Sequence, residues 1–463
     1  MKNSRVISSY KDPSGFIFSQ NGLVYRQINK NYRADFDLLI NSGLYESLVK
    51  SHYLVPHEEI SLSKFETSGE AYKIIKPQVI PFISYPNEWC FSMLKDAALL
   101  TLSIQKKAIS CGMSLKDSSI YNVQFLNGKA TLIDTLSFEK YQEGKPWIAY
   151  KQFIEHFLGP LALMAYSDIR LNSLFISYTD GVPVGLISHL LPIRAKFNPM
   201  LLLHIFAHSA SQRKNADKKL NKKQIQQSFG RSAMMGLIDS LEFAVRKFKL
   251  SHKETEWGDY YESNNNYRST SQAHKEKLVR EFVGLAKPKM TWDLGANTGR
   301  FSRIAASGNS KVISFDIDHG ALEQNYKEVL MNKDKNILPL FSDLTNPTPA
   351  IGWANQERLS LLDRGPSDLI MALALVHHLA IGKNIPMDYI AELFANQCQF
   401  CMVEFIPKED SQVKKLLMNR EDIFPEYSKS GFEKTFKKYF KIKKSTDIKG
   451  SKRVLYLMEK LHE

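Results

Sequence analysis

The stretch "WDLGANTGRFS", residues 292–302, decides the fold of the C-terminal part of the chain. Asp293 ends a short apolar run, and Gly295 and Gly299 stand in the turn before a predicted helix. Glycine tolerates positive φ and lets a ligand approach the main chain, while the first turn of a helix offers unpaired N–H groups. The spacing lacks the closing glycine of the dinucleotide fingerprint, which counts against NAD or FAD. The turn therefore predicts a site for a different ligand where a strand meets a helix.

Predicted strands and helices alternate from Met290 to the end of the chain. This alternation predicts an α/β domain with a Rossmann-like, doubly wound sheet, whose last strand runs antiparallel in a closing hairpin. The predicted strands, in order, are "MTWDLG", "KVISFDID", "NILPLFSDL", "DLIMALAL", "QFCMVEFIP", "FKIKKSTDI" and "RVLYLM".

Acidic residues stand at the ends of successive predicted strands. Asp316 closes the second strand, where a carboxylate can accept both hydroxyls of a ribose. Asp343 closes the third, where it can take the exocyclic amine of an adenine, and Asp368 begins the fourth. Because sheets of this kind bind ligands in the crevice at their strand ends, we expect all of these acids, with Asp293, to face one crevice.

Residues 290–460 resemble a class I S-adenosylmethionine-dependent methyltransferase. The aspartate–x–glycine–x–x–x–glycine turn matches that family's first motif, and the later acids match in order and spacing. Two segments, "GWANQERLSLLDRGPSDLIMALALVHHLAI" and "WGDYYESNNNYRSTSQ", look closest to nodulation-protein-like methyltransferases of bacteria. The resemblance implies a set of S-adenosylmethionine-binding residues: Gly295, Asn297 and Gly299 for the methionine part, Asp316 for the ribose, Asp343 with Leu344 for the adenine, and Asp293 and Asp368 beside them.

The expected methyl acceptor is a small molecule or a glycan. Several residues are candidates for the part of the site that binds it. His377 and His378 follow the fourth strand, so one of them could act as a base near neutral pH; alternatively, one packs and the other bonds a loop carbonyl. Arg358 could clamp an acidic acceptor or form a surface ion pair. Trp353 stands in the same segment, and Glu404 on the fifth strand is expected to line the acceptor side.

Length and composition set broad limits. A chain of 463 residues exceeds one ordinary core, so two or three domains are expected. We predict an α+β domain over residues 1–250, a connector covering the cofactor site over 251–275, and the methyltransferase domain over 276–463. No apolar stretch reaches the length of a membrane span, the N-terminal residues carry no apolar secretory signal, and four cysteines fit a reducing cytoplasm. The lone Cys398/Cys401 pair predicts core packing rather than a metal site.

The formal net charge of +14 leaves a second class of partner open. Lysine and arginine concentrate near residues 212–227 and 434–453. Such segments can meet phosphate, so RNA methylation is an alternative function, but they are more often a solvated helix face or a protected strand edge. Nucleic acid is therefore an alternative partner rather than the expected one.

A second constellation lies in the N-terminal half, where Asp117, Asn122 and Asp134 flank a strand–"NG"–strand hairpin. Residues 80–140 resemble the catalytic core of kinase-like phosphotransferases, which implies an alternative bifunctional enzyme that also binds Mg-ATP. The match is incomplete, because no histidine–arginine precedes Asp117 and "DTL" replaces aspartate–phenylalanine–glycine. The competing interpretation is a hairpin whose Asp117 and Asn122 cap turns, in a domain that recognises the acceptor.

Overall fold

The computed structural model describes residues 4–65, 69–210, 230–250, 269–418 and 420–461. The basic segment 212–227 and most of the predicted connector lie outside these residues. The chain divides into two compact units: Met1–His252 with Ala350–Leu359, and Lys253–Pro349 with Ser360–Glu463. The helix Ser269–Ala286 starts inside the predicted connector, and the sequence did not indicate that residues 350–359 group with the first unit.

The first unit begins with an antiparallel sheet in the order β1-β2-β3-β5-β4. Its strands are β1 Ser4–Arg5, β2 Gly15–Gln20, β3 Leu23–Asn29, β4 His57–Ile60 and β5 Ala71–Pro77. Helices Arg33–Asn41 and Leu44–Lys50 connect β3 to β4. Ile28 of β3 and Ile75 of β5 pack against Phe36 of the first helix. Together with Tyr32 and Leu136 they form a small core.

The rest of the first unit surrounds the long buried helix Phe91–Ser110. Strands β6 Met113–Leu115 and β9 Phe138–Lys140 pair with each other, and β7 Val123–Leu126 pairs with β8 Lys129–Leu132. Asn127 and Gly128 both have positive φ, as a two-residue hairpin turn requires, so the predicted hairpin is confirmed. The longer helices that follow are Gly159–Tyr166, Val184–Leu190 and Arg231–Lys247. The shorter helical segments before and between them are Tyr150–Phe153, Ile154–Leu158, Ile169–Ser173, Leu174–Ser177, Ile193–Phe197, Pro199–Leu201 and Leu202–Ala207.

The second unit has a seven-stranded sheet in the order β12-β11-β10-β13-β14-β16-β15. The first five strands are parallel, and β16 runs antiparallel to both of its neighbours. This confirms the predicted α/β class with its antiparallel closing hairpin. The strands are β10 Met290–Leu294, β11 Lys311–Asp316, β12 Ile337–Phe341, β13 Ser367–Ala372, β14 Cys398–Phe405, β15 Phe440–Asp447 and β16 Val454–Lys460.

Helices cover the faces of this sheet. Those longer than one turn are Ser269–Ala286, Arg300–Ser307, His319–Asn332, Met387–Gln397, Ser411–Leu417 and Lys429–Phe436. Val279 and Phe282 of the first helix pack with Val312, Leu369 and Met402 of the strands. The strand order reverses between β10 and β13, and parallel sheets leave a crevice at the carboxyl ends of the strands at such a point. Within the described residues, no helix is long and apolar enough to span a membrane.

Candidate functional site

A cavity of about 420 Å³ opens at the carboxyl ends of β10, β11, β12 and β13 in the second unit. It therefore lies at the reversal of strand order, where ligands of such sheets bind. Seven residues predicted from the sequence line it: Asp293, Gly295, Asn297, Asp316, Asp343, Leu344 and His378.

The glycine turn after β10 is built from left-handed backbone. Gly295, Asn297 and Gly299 have φ of 73°, 51° and 81°. Gly295 lines the cavity, and a Cβ there would come within 3.3 Å of the Leu375 side chain. Gly299 does not line the cavity; a Cβ there would lie 2.3 Å from Oδ1 of Asn325. The two glycines thus differ in role: Gly295 exposes main chain to the cavity, whereas Gly299 allows the turn to pack on the helix His319–Asn332.

Asp316 is the last residue of β11 and its carboxylate lines the cavity. Its Oδ2 accepts the Asn297 N–H at 2.6 Å, and its Oδ1 accepts the Asp318 N–H at 2.8 Å. Burial raises the pKa of Asp316 to about 6, and the two N–H donors oppose that rise. The carboxylate is therefore held in place by main chain from two strand ends, with both oxygens retaining lone pairs for a ligand.

Asp293 also reaches the cavity wall, but its contacts are inward. Its Oδ2 accepts the hydroxyl of Ser302 at 2.6 Å, and Ser302 in turn accepts the hydroxyl of Ser314 at 2.8 Å. Burial raises the pKa of Asp293 to about 7. This chain of hydrogen bonds joins β10, β11 and the helix Arg300–Ser307, so Asp293 fixes the geometry of the turn.

Asp343 and Leu344 follow β12 and form another side of the cavity. The Asp343 carboxylate accepts the N–H of Thr345 at 2.9 Å and its hydroxyl at 2.7 Å. These bonds close a tight turn that holds the carboxylate beside the apolar side chain of Leu344. The pair therefore offers one hydrogen-bond acceptor next to an apolar surface.

The two histidines after β13 have different environments, which the sequence could not distinguish. His378 lines the cavity, whereas His377 is 2% exposed and packs beneath it, with 4.1 Å between the ring centroids. In the described part of the chain, neither ring nitrogen of His377 finds a hydrogen-bond partner. Burial lowers the pKa of both, and that of His377 strongly. Both rings are therefore neutral near pH 7, and His378 is the one of the two that lines the cavity.

The expectation that four acids face the crevice is wrong for Asp368. It stands near the amino end of β13, at the edge of the sheet opposite the cavity. Its Oδ2 accepts the N–H groups of Lys289 and Met290, both at 2.8 Å, where β10 begins. Strands β10 and β13 are parallel, so an acid that starts one strand meets the start of its neighbour. Asp368 therefore joins two strand starts and does not line the cavity.

Glu404 was expected to line the acceptor side, and this is also wrong. Its side chain is completely buried in a network of ion pairs. Its carboxylate lies 2.6 Å from Nζ of Lys275 and 3.3 Å from Nη1 of Arg453. Arg453 also pairs with Asp410 at 2.8 Å. Buried charges require such partners. The network ties the helix Ser269–Ala286 to β14 and to the closing hairpin.

Trp353 and Arg358 are the remaining acceptor-side residues of the prediction, and both belong to the first unit. The Arg358 guanidinium lies 4.5 Å from the ring centroid of Tyr121, and Trp353 is exposed. The neighbouring Glu357 accepts the hydroxyl of Tyr10 at 2.5 Å. Neither residue is among those that line the cavity of the second unit.

The sequence analysis missed Lys275. It lies in the helix Ser269–Ala286, is buried and lines the cavity. Its Nζ lies 4.4 Å from the ring centroid of Phe301. Burial lowers the pKa of Lys275. Lys275 precedes the buried residues Leu278 and Val279 by three and four positions. This helical spacing would have predicted that Lys275 lies on the buried face of the helix.

The three kinase-like residues of the first unit come together in the structure. The Asn122 amide donates to Asp117 at 3.1 Å and to the Ser137 hydroxyl at 3.3 Å, and Ser137 donates to Asp134 at 2.7 Å. Gln152 donates a further hydrogen bond to Asp117 at 2.8 Å. These distances show that the residues share one polar cluster, which the hairpin positions.

A cation from β3 already contacts this cluster. Nη1 of Arg26 forms an ion pair with Asp134, and Nη2 lies 3.4 Å from Asp12. Burial and the nearby charge of Asp134 raise the pKa of Asp117. The negative charge of Asp134 is thus offset by a side chain of the protein itself.

Comparison with known proteins gives a relative that matches nearly the whole chain. No protein-family model matches the chain. Nodulation protein NoeA of Rhizobium meliloti (strain 1021) is 33% identical over 461 residues, covering 98% of this chain and 96% of NoeA.

Solved structures give weaker matches. The bifunctional kinase-methyltransferase WbdD is 16% identical with a TM-score of 0.30, covering 44% of this chain and only 43% of WbdD. The N-methyltransferase NodS from Bradyrhizobium japonicum WM9 is 8% identical with a TM-score of 0.31, covering 42% of this chain and 98% of NodS. The identity and coverage with NoeA place this chain, whose second unit is a doubly wound α/β sheet, in the family of nodulation protein NoeA.

Proposed function

We propose that this chain is an S-adenosylmethionine-dependent methyltransferase that transfers a methyl group to a small-molecule or glycan acceptor. The observation that carries the proposal is the convergence of the glycine turn and the Asp316 carboxylate on one cavity at the strand ends. An exposed main-chain turn and a strand-end carboxylate are what an α/β sheet uses to hold a nucleoside.

The residues of the cavity fit the parts of this cofactor. The turn at Gly295 and Asn297 would hold the methionine part, the Asp316 carboxylate would accept the ribose hydroxyls, and Asp343 with Leu344 would meet the adenine. The cavity volume of about 420 Å³ suits a nucleoside-sized ligand. S-adenosylmethionine, when bound, supplies an electrophilic methyl group.

The protein's own contribution is mainly positioning. The hydrogen bonds from Asn297 and Asp318 hold the Asp316 carboxylate, and the network around Lys275 and Glu404 supports the cavity wall. His378 is the candidate base, because it lines the cavity and its lowered pKa keeps the imidazole neutral. An acceptor hydroxyl or ammonium that loses its proton to His378 would become the nucleophile.

The test is incubation of the full chain with a bacterial extract and S-adenosylmethionine carrying an isotopically labelled methyl. We expect at least one product heavier by one labelled methyl in mass spectrometry, together with S-adenosylhomocysteine. The Asp316→Ala variant is the matched control and should yield neither. Absence of labelled product over a range of extracts, in a protein that binds the cofactor, would count against a small-molecule or glycan acceptor.

A bifunctional enzyme is the second candidate, favoured by the convergence of Asp117, Asn122 and Asp134. Magnesium bound there would have to compete with Arg26 for Asp134. If the cluster binds Mg-ATP, the nucleotide should raise the melting temperature of the wild type and not that of Asp134→Asn. No shift with either protein would leave the first unit as a scaffold.

RNA methylation, the alternative from net charge, makes a different prediction. Binding to RNA should weaken steeply with added salt, since each phosphate contact releases counterions. Binding that is absent, or insensitive to salt, removes this alternative.

A further inference from the structure

An open groove of about 450 Å³ lies in the first unit, away from the kinase-like cluster. Its lining combines aromatic rings with cations: Tyr166, Phe197 and Phe243 with Arg194 and Lys247. Phe197 is 84% exposed and Phe243 is 54% exposed. Each of these two rings leaves a large apolar area exposed, which is available to a partner.

Further apolar side chains are exposed along the segment that forms one side of the groove. Ile193 is 75% exposed, and about half of Leu202 and of Leu203 is exposed. With Phe197, four large apolar residues stand in the open between positions 193 and 203. Single exposed apolar residues are ordinary, whereas several exposed in one short segment, beside a groove lined by aromatic rings, point to a site of interaction. We call these residues, with Phe243, Arg194 and Lys247, the Phe197 surface.

The charged members of the Phe197 surface are all cations. Arg194, Lys196 and Lys247 are exposed, and the sequence from Gly181 to Ala216 contains neither aspartate nor glutamate. The acids on the helix Arg231–Lys247 are already paired: Asp239 lies 2.6 Å from Lys106, and Glu242 pairs with Lys106 and Arg246. A partner of this surface must therefore accept apolar side chains and neutralise cations together.

We propose that the Phe197 surface docks on a bilayer containing anionic phospholipid. Phenylalanine and leucine beside lysine and arginine are the combination by which proteins lie on a membrane interface without crossing it. A second copy of the chain, packed through the same face, would bring like charges together. A nucleic acid would meet the cations and leave the aliphatic side chains in water.

The test is co-sedimentation of the full chain with vesicles of phosphatidylcholine alone or with 30% phosphatidylglycerol, a fraction of about that size being enough to charge the surface. We expect binding to the anionic vesicles only, weakened by salt. Arg194→Glu with Lys247→Glu should weaken it at least about twentyfold, since each cation contributes roughly a fivefold factor. Phe197→Ser with Phe243→Ser should abolish it while leaving the melting temperature unchanged, because both rings are exposed.

Matched controls come from the same unit. Ile148→Ser removes an apolar side chain that is 67% exposed, and Lys129→Glu with Lys145→Glu reverses two exposed charges elsewhere. These variants should bind like the wild type. Equal loss in controls and test variants, equal binding to neutral vesicles, or no binding at all would overturn the proposal. Two other results would also overturn it in a protein that does not sediment with vesicles. One is a dimer that Phe197→Ser dissociates, and the other is retention of RNA.

Discussion

Replacing Asp316 by alanine is the sharpest perturbation of the proposed cofactor site. The carboxylate lines the cavity and is held by the N–H groups of Asn297 and Asp318. In the proposal, it accepts two ribose hydroxyls. A hydrogen bond to a charged group contributes about 1.5–3 kcal/mol, so the loss of two should cost about 3–6 kcal/mol. The affinity for S-adenosylmethionine should fall by roughly two to four orders of magnitude.

The assay is isothermal titration calorimetry with a control two residues away. Asp318 caps the helix His319–Asn332 by accepting the N–H groups of Gly320 and Ala321, and it does not line the cavity. Asp318→Ala should therefore lose about 1 kcal/mol of stability and keep the wild-type affinity. If Asp316→Ala is folded and binds S-adenosylmethionine like the wild type, the assignment of the ribose to Asp316 is wrong.

The same carboxylate predicts the pH dependence of binding. Burial raises the pKa of Asp316 to about 6, and the ionised form is the better acceptor. Affinity should be constant above about pH 7 and fall as the pH drops through 6, by up to about tenfold per unit. Asp316→Ala should lack this phase. An unchanged pH profile in the variant would show that another group titrates.

Other residues give three further predictions. His378→Gln should lower kcat by about 10²–10⁴-fold without changing the cofactor Kd. Replacement of the buried histidine, His377→Phe, should leave turnover and stability as in the wild type. If His377→Phe loses turnover and His378→Gln keeps it, His377 and not His378 is the base. Gly299→Ala should lower the free energy of unfolding by about 1–3 kcal/mol, because φ is 81° and the new Cβ would lie 2.3 Å from Asn325. Urea unfolding measures this, and an unchanged midpoint would contradict the packing role of Gly299. Burial raises the pKa of Asp293 to about 7, so its contribution to stability is present below its unfolded pKa near 4 and is lost as the pH rises through 7. Asp293→Asn should therefore flatten the fall in unfolding free energy between about pH 4 and 8, and parallel curves for the two proteins would refute this.

Much of the second unit could be predicted because its signals are local. A strand, a glycine turn and a helix follow one another within "WDLGANTGRFS", so the turn and its cavity-facing backbone depend on neighbouring residues. The end of the next strand is local as well, which is why Asp316 lines the cavity as expected. The order of strands and helices then restricts the sheet to a doubly wound arrangement.

The errors concern which end or which face a residue occupies. Asp368 begins its strand, and the start of a parallel strand lies at the edge remote from the cavity. Glu404 is in the middle of a buried strand, where its partners Lys275 and Arg453 come from distant segments. No spacing along the chain encodes such partners, because they meet only when the sheet and its covering helix have formed.

The amino-acid sequence by itself determined the class of the second unit, the glycine turn and the acid that faces it, since these follow from backbone conformation and alternation over short stretches. Only the tertiary structure decided which of two adjacent histidines reaches the cavity, and that Lys275 joins its wall. It also decided that the segment around Arg358 packs in the first unit. Those outcomes depend on burial, and burial is decided by residues far apart in the chain that come together on folding.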